Sequence, residues 1–171
     1  VGSNPEAWGA TFYGAEVRDA LSFGYLEDLI RENPDHLLIR TGMVLIIAGI
    51  AFKIGAAPFQ IWVPDVYHGS PMPITAFLSV SSKAAGFFFL LNLVNGPFSG
   101  AVNFLLPLLG FVATFTIFFG NLAACAQRNL KRMLGLSGVA HAGYLLVAIM
   151  ASMVFPGDSD RAVWVLFFYM F

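Results

Sequence analysis

The sequence is poor in charge and has a single cysteine. Only 11% of its 171 residues are Asp, Glu, Lys or Arg, whereas an ordinary soluble domain carries about 25%. So little charge argues against a soluble enzyme, and a formal net charge of −1 argues against the basic face that a nucleic-acid-binding protein needs. One cysteine, Cys125, excludes an intramolecular disulfide and any metal site built from several cysteines. We expect Cys125 to be a small buried residue.

What the sequence has in abundance is hydrophobic residues, 58% of the total, arranged in long runs. Four runs reach about 20 residues, the length that a helix needs to cross a bilayer, and a fifth begins near the end. They cover residues 41–63, 73–94, 101–126, 133–154 and 162–171. The runs do not alternate apolar and polar residues as the strands of an outer-membrane barrel do. We therefore predict an all-α polytopic membrane protein, a transmembrane helix bundle with about five spans.

The fifth run stops within itself, and the sequence starts without an initiator Met. We expect the sequence to be an internal fragment of a longer membrane protein. Ten of its nineteen charged residues lie within residues 1–40, which we predict to form an extramembrane segment on the periplasmic side. Residues 41–171 form the predicted transmembrane region.

The basic residues predict how the protein is oriented in the membrane. Lysine and arginine concentrate in cytoplasmic loops, and the loop 127–132 contains three of them and no acidic residue. We predict that this loop faces the cytoplasm, or the equivalent side in an organelle. Alternation of the spans then places residues 64–72 on the same side and residues 95–100 on the opposite side.

Four apolar residues of the N-terminal segment recur at intervals of four: Val17, Leu21, Tyr25 and Leu29. This spacing is compatible with an amphipathic surface helix that ends before Asn33 and Pro34. A solvated loop with one short helix is the alternative.

Lys53 and Lys83 are the most informative residues, because each lies near the middle of an apolar run. A charged side chain at the bilayer centre costs roughly 2.5–3.5 kcal/mol on insertion scales. Lys83 is about 15 Å from either end of its run, so it must face protein or a hydrated cavity. A buried lysine can take up and release a proton, whereas an arginine stays protonated. A structural ion pair with a carboxylate from another helix is the alternative, although these spans contain no carboxylate.

Pro58 predicts a break in the first span just after Lys53. Proline removes a helical hydrogen bond and clashes with the preceding turn, and broken helices at membrane depth line cavities or lie buried in protein. Alternatively, Pro58 simply ends the span. Asp65, Tyr67 and His68 would then lie in the cytoplasmic turn, where a solvated carboxylate needs no special role.

Small residues are concentrated in the fourth run. Such residues let transmembrane helices approach closely. The patch consists of Ser137, Gly138, Ala140, Ala142 and Gly143. We expect this part of the helix to pack tightly against a neighbour.

Two motifs carry a resemblance to a known family. The first is FKIGAAPFQIWVPDVYHGSPMPITAFLSVSSKAA, and the second is GNLAACAQRNLKRMLGLSGVAHAGYLLVA. Both resemble the antiporter-like membrane subunits of respiratory complex I, closest to the N-subunit branch of NADH–quinone oxidoreductase (mitochondrial subunit 2-like). The resemblance covers about residues 41–155.

The resemblance implies a proton-translocating bundle built from inverted repeats, with broken helices and a central axis of charged residues. Lys53 matches the family's lysine on a broken helix, Lys83 matches the lysine on the following helix, and His141 matches a common histidine. The family role implied for the lysines is a proton relay, with His141 as a possible further member. From the residues alone, an isolated histidine in an apolar helix more often makes an interhelical hydrogen bond.

The resemblance also implies a non-redox subunit of NADH:quinone oxidoreductase in the bacterial inner membrane or its organellar equivalent. The expected partners are the lipid bilayer and other membrane-arm subunits, with quinone handled by neighbouring subunits. No cofactor, metal or nucleic acid is expected in this chain. The alternatives are a subunit of an Mrp-type cation/proton antiporter or membrane-bound hydrogenase, and a structural membrane scaffold. Three departures stand out: Gln60 replaces the family's usual histidine, Leu136 replaces a common tyrosine, and Gly138 replaces a common serine.

Overall fold

The computed structural model describes residues 22–155 and 164–165, and these are predominantly helical. In chain order the elements are α1 (Phe23–Glu32), α2 (Leu37–Ile54), α3 (Trp62–Gly69), α4 (Met72–Phe77), a π-helical turn (Leu78–Ser82), α5 (Lys83–Asn95), a 3-10 turn (Ser99–Ala101), α6 (Val102–Cys125) and α7 (Leu130–Val154). The described residues contain no strand. The prediction of an all-α fold is confirmed.

Four helical stretches are long and apolar enough to cross a membrane. They are Leu37–Ile54, Met72–Asn95, Ser99–Cys125 and Leu130–Val154, and they correspond to the first four predicted runs. Large apolar side chains on their outer faces are exposed, among them Phe111, Phe118 and Leu122, as expected for surfaces that meet lipid or further helices. The predicted fifth run lies outside the described residues except for positions 164–165.

The predicted break after Lys53 is present. α2 ends at Ile54, and Gly55 follows with a φ of 74°, a left-handed conformation that glycine adopts readily at the end of a helix. A cis peptide bond joins Ala57 to Pro58 before α3 begins. The expected extent of the span was wrong, because this glycine closes the helix well before residue 63.

α6 and α7 pack at backbone distance. A Cβ atom added to Gly120 would lie 2.6 Å from the backbone nitrogen of Ala140, and one added to Gly143 would lie 3.0 Å from the carbonyl oxygen of Ala113. Only glycine fits at such crossings, so the small residues of α7 allow the two helices to approach. The expected tight packing of this patch is confirmed.

The N-terminal segment contains the short helix α1. Ser22 caps it by accepting a hydrogen bond from the Tyr25 amide at 3.2 Å, and Asn33 follows its last residue. The helix therefore ends before Asn33, as the spacing predicted, although the predicted positions 17 and 21 lie outside the described residues. Its one buried residue is Ile30, and Glu27 accepts a hydrogen bond from Ser99 at 3.3 Å.

Cys125 is exposed, so the expectation of a buried cysteine was wrong. It is the last residue of α6 and does not belong to the buried face of that helix. The buried face consists of Leu105, Leu109, Ala113, Thr116 and Gly120.

Candidate functional site

Lys83 lies inside the protein at a local irregularity of its helix. A π-helical turn, Leu78–Ser82, comes directly before it, and such turns within helices frequently occur at functional sites. The lysine is only 6% exposed, and its Nζ donates a hydrogen bond to the carbonyl oxygen of Gly138 on α7 at 2.9 Å. Lys83 therefore faces protein, as its depth in the apolar run predicted.

A cavity of about 300 Å³ opens beside Lys83. Its polar lining includes Ser79, Lys83, Gly138 and His141. Gly138 and His141 are three residues apart on α7, which places them on the same side of the helix. The structure thus brings two of the three predicted site residues, Lys83 and His141, to one cavity.

His141 lies on the outer side of this cavity. Its side chain is exposed within the described chain, and its ring meets the ring of Tyr144 edge-on, with 6.0 Å between the ring centroids. Tyr144 is the acceptor of a long hydrogen bond from the Asn121 side chain, at 3.5 Å. His141 is therefore placed where it can contact both the cavity and whatever covers this surface.

Lys53 is exposed within the described chain and lies at the end of its helix, which corrects the prediction that it lies near the middle of a span. It lies in the last turn of α2, and its side chain is exposed because the inward face of α2 consists of other residues. These are Met43, Ile47, Ile50, Ala51 and Ile54. The apolar run continues through residue 63, whereas the helix ends one residue after the lysine.

Lys53 nevertheless approaches the helix that carries Lys83. Its Cγ and Cδ atoms lie 3.9 Å from the position of a Cβ atom added to Gly86. Gly86 follows Lys83 by three residues, about 4.5 Å along the helix axis. The stem of Lys53 therefore crosses α5 within one turn of Lys83.

Neither lysine is paired with a carboxylate in the part of the chain that the structure describes. The ion pairs found there are Arg31–Glu27, Arg40–Asp35 and Arg132–Asp65. The structural ion pair considered as an alternative for Lys83 is thus not made within residues 22–155. Its ammonium is held by a backbone carbonyl instead.

The region predicted to be a cytoplasmic turn is mostly the helix α3, which docks on the start of α7. Arg132 donates to Asp65 at 2.5 Å, and Lys131 donates to the carbonyl oxygen of Ser70 at 3.3 Å. Tyr67 is only 3% exposed. Asp65 is exposed, as expected of a solvated carboxylate, but it lies in the first turn of α3 rather than in a turn between spans. The prediction of a turn was wrong for this segment, and it missed the pairing of Asp65 with Arg132 of α7.

Two buried polar residues near the break were not singled out by the sequence for their position. Thr116 of α6 accepts a hydrogen bond from the Ala57 amide at 3.0 Å, which attaches the irregular segment to the bundle. Gln60 is 4% exposed. The sequence marks Gln60 as a departure from the family's usual histidine, and the signal for its burial is its spacing from Val63 and Tyr67, which matches one face of a helix.

Comparisons with known proteins agree with these features. The profile of a family described as NADH:quinone oxidoreductase/Mrp antiporter, TM, matches residues 10–171. NADH-quinone oxidoreductase subunit N 1 of Opitutus terrae is 50% identical over 170 residues, which is 99% of this chain and 32% of that protein. The chloroplastic NAD(P)H-quinone oxidoreductase subunit 2 of Mesostigma viride is 40% identical over 163 residues, covering 91% of this chain and 32% of that protein.

Two solved structures are also similar. A chain of respiratory complex I from Thermus thermophilus with bound aureothin has a TM-score of 0.64 and 35% identity, covering 80% of this chain and 29% of its own. A chain of the membrane-bound sulfane sulfur reductase, an archaeal respiratory membrane complex, has a TM-score of 0.67 and 28% identity. The match covers 87% of this chain and 32% of the reductase chain. The chain thus spans about a third of the length of these proteins.

Proposed function

We propose a proton-relay function for this chain, which belongs to the NADH:quinone oxidoreductase/Mrp antiporter transmembrane family. The resemblance drawn from the two motifs is thereby confirmed. The chain is part of an integral membrane protein with four candidate spans among its described residues. The cytoplasmic placement of the loop 127–132 stays a prediction.

The proposal rests above all on the surroundings of Lys83. Its ammonium is enclosed within the helix bundle, bonded to a neutral carbonyl at 2.9 Å and placed at the wall of a cavity. Within the described residues no carboxylate pairs with it, and an amine, unlike a guanidinium, can give up its proton. Intramembrane ionisable residues of this kind are typical of ion and proton pathways.

Lys53 and His141 are the other members of the proposed relay. The stem of Lys53 crosses α5 at Gly86, and His141 lines the same cavity as Lys83. Two unit charges about 10 Å apart interact by roughly 1.7 kcal/mol in an effective dielectric constant of about 20. A charge on one member of a relay is therefore felt by its neighbour, which is the coupling that a relay needs.

We further infer that the whole protein is a non-redox subunit of the membrane arm of NADH–quinone oxidoreductase. The 50% identical relative of Opitutus terrae, a subunit N of that enzyme, supports this assignment. On this proposal the partners are the other membrane-arm subunits and the bilayer. Quinone reduction takes place in neighbouring subunits, and proton transfer in this chain is coupled to it.

A related complex is the second candidate. The sulfane sulfur reductase chain matches this fold with a TM-score of 0.67, and the family description includes Mrp antiporters. The relay residues would be the same, whereas the driving reaction would differ. Inverted membrane vesicles distinguish the two, because the preferred assignment predicts acidification driven by NADH oxidation rather than by an imposed Na⁺ gradient.

Substitution of Lys83→Met in the assembled complex tests the relay. Methionine keeps an unbranched side chain of similar length but removes the titratable group. We expect proton pumping per electron to fall strongly, while Arg128→Met, which removes a positive charge from the basic loop, leaves it unchanged. Normal pumping by fully assembled Lys83→Met complexes would refute the proposed relay.

A further inference from the structure

The Lys83 ammonium has hydrogen-bonding capacity beyond its bond to Gly138. A lysine ammonium carries three donors, and within residues 22–155 one of them is used, by the bond from Nζ to the Gly138 carbonyl oxygen at 2.9 Å. The side chain is buried, and a buried charge is stable only when further hydrogen bonds satisfy its remaining protons. A second acceptor within reach of Nζ would therefore stabilise the ammonium inside the bundle.

Ser79 presents an oxygen atom to the same cavity. It lines the cavity of about 300 Å³ together with Lys83 and Gly138, and among the described lining residues it is the one with a hydroxyl group. Its Oγ donates its hydrogen to the Ala76 carbonyl oxygen at 2.8 Å. Because a serine hydroxyl has one hydrogen and two acceptor lone pairs, the Ser79 oxygen is left to act as an acceptor toward the cavity.

The position of Ser79 on its helix suits a contact with Lys83. The two residues are four apart, a spacing that makes side chains neighbours on a helix, and both line one cavity. Helical side chains lean toward the N-terminus of their helix, so the Lys83 stem leans toward the π-helical turn Leu78–Ser82 that contains Ser79. Rotation about the side-chain bonds of Lys83 can therefore carry Nζ from α7 to Ser79 while the backbone stays in place.

We propose that Ser79 is a positioning residue for Lys83, whose hydroxyl oxygen accepts a hydrogen bond from the ammonium when the ammonium leaves the Gly138 carbonyl. The ammonium then has two places in the cavity, one bonded to α7 and one bonded to its own helical stretch. The effect of Ser79 on proton pumping rests on the proposed relay function, whereas the second place of the side chain does not.

A second acceptor lets Lys83 change its partner without losing its hydrogen bonds. An ammonium that left Gly138 with no other acceptor would be unpaired inside the bundle, which is costly for a charged group. With Ser79 in place, one bond replaces the other and the charge moves within the cavity. His141 lines the same cavity, so the movement changes the distance between two members of the proposed relay. Ser79 acts through Lys83 and is not itself a member.

The structure of a Gly138→Ala complex tests the second place directly. A Cβ atom at residue 138 would lie 2.9 Å from Lys83 Nζ, so the ammonium must shift. We expect high-resolution electron cryomicroscopy of the assembled complex to show Nζ within about 2.7–3.2 Å of Ser79 Oγ. Density for Nζ that stays at the carbonyl of residue 138, or that lies away from Ser79, would overturn the proposal.

Substitutions of Ser79 test its effect on pumping in the complete complex. Ser79→Ala removes the acceptor, whereas Ser79→Thr retains a hydroxyl that can still bond to the preceding turn. Ser81→Ala is the matched control, because Ser81 belongs to the same π-helical turn but is exposed and lies outside the described lining of the cavity. NADH-driven acidification of inverted vesicles measures pumping, and thermal unfolding measures stability.

We expect Ser79→Ala to slow pumping roughly tenfold, the effect of one hydrogen bond to a charged group. Ser79→Thr should restore most of the wild-type rate, Ser81→Ala should pump normally, and all three complexes should unfold at the wild-type temperature. A merely structural role predicts instead that Ser79→Ala lowers the unfolding temperature along with pumping. Normal pumping by Ser79→Ala, or a loss that Ser79→Thr does not reverse, would overturn the role of Ser79.

This proposal and the proposed relay fail in distinguishable ways. If Lys83→Met complexes pump normally while Nζ lies at Ser79 in the Gly138→Ala complex, the relay through Lys83 is refuted and the second place of the ammonium stands. If Lys83→Met abolishes pumping while Ser79→Ala pumps normally, the relay stands and the role of Ser79 is refuted.

Discussion

Substitution of Gly138→Ala tests how Lys83 is held. A Cβ atom at this position would lie 2.9 Å from Lys83 Nζ, inside the space that the ammonium now occupies. Because Nζ is the end of a flexible side chain, we expect it to move away and lose its bond to the Gly138 carbonyl. A hydrogen bond made by a charged group contributes about 1.5–3 kcal/mol, and alanine regains about 0.5–1 kcal/mol over glycine in a helix.

The net destabilisation should therefore be roughly 0.5–2.5 kcal/mol, together with slower pumping because the ammonium leaves its position at the cavity. Gly49→Ala is the matched control, since nothing lies within 4 Å of its added Cβ atom. The control should raise stability by about 0.5–1 kcal/mol and leave pumping unchanged. Thermal unfolding of the purified complex and vesicle acidification give the two readouts. Equal behaviour of the two variants would refute the placement of Lys83 on Gly138.

Two further substitutions test the packing around the site by thermal unfolding. Thr116→Val leaves the buried Ala57 amide without its acceptor and should lower the free energy of unfolding by about 1–3 kcal/mol. Thr41→Val, at an exposed position, is the control and should change stability little. Equal losses in the two variants would refute the role of Thr116 in attaching the segment after α2 to the bundle. Gly120→Ala places a Cβ atom 2.6 Å from the Ala140 backbone and should cost about 1–3 kcal/mol through overpacking; an unchanged or raised stability would refute the close crossing of α6 and α7.

The sequence was sufficient to predict the spans and the depth of Lys83. Long apolar runs have one stable arrangement in a membrane, because a helix satisfies its own backbone hydrogen bonds. A lysine in the middle of such a run must then face inward. The sequence could not predict which group accepts a hydrogen bond from the Lys83 ammonium. Every residue of a neighbouring helix has a backbone carbonyl, and the choice of Gly138 depends on how α5 crosses α7.

The sequence was less informative where the chain is irregular. Hydropathy does not detect the end of a helix. The apolar run therefore predicts Lys53 at the middle of a span, although α2 ends one residue later, at Ile54, and Gly55 follows. Asp65 is exposed as expected, but its pairing with Arg132 joins residues 67 positions apart, a contact that no local sequence pattern shows. The burial of Tyr67 and Gln60 depends on the same docking of α3 on α7, which only tertiary structure reveals.

Lys83→Arg in the assembled complex tests the relay most directly, because it separates the charge from the proton. A guanidinium keeps the positive charge but does not release its proton in proteins, and the cavity of about 300 Å³ beside Lys83 provides room for it. A relay through Lys83 predicts that these complexes assemble, oxidise NADH at a lowered rate and pump few protons per electron. A structural scaffold that needs only the charge predicts a wild-type number of protons pumped per electron, and that result would contradict the account.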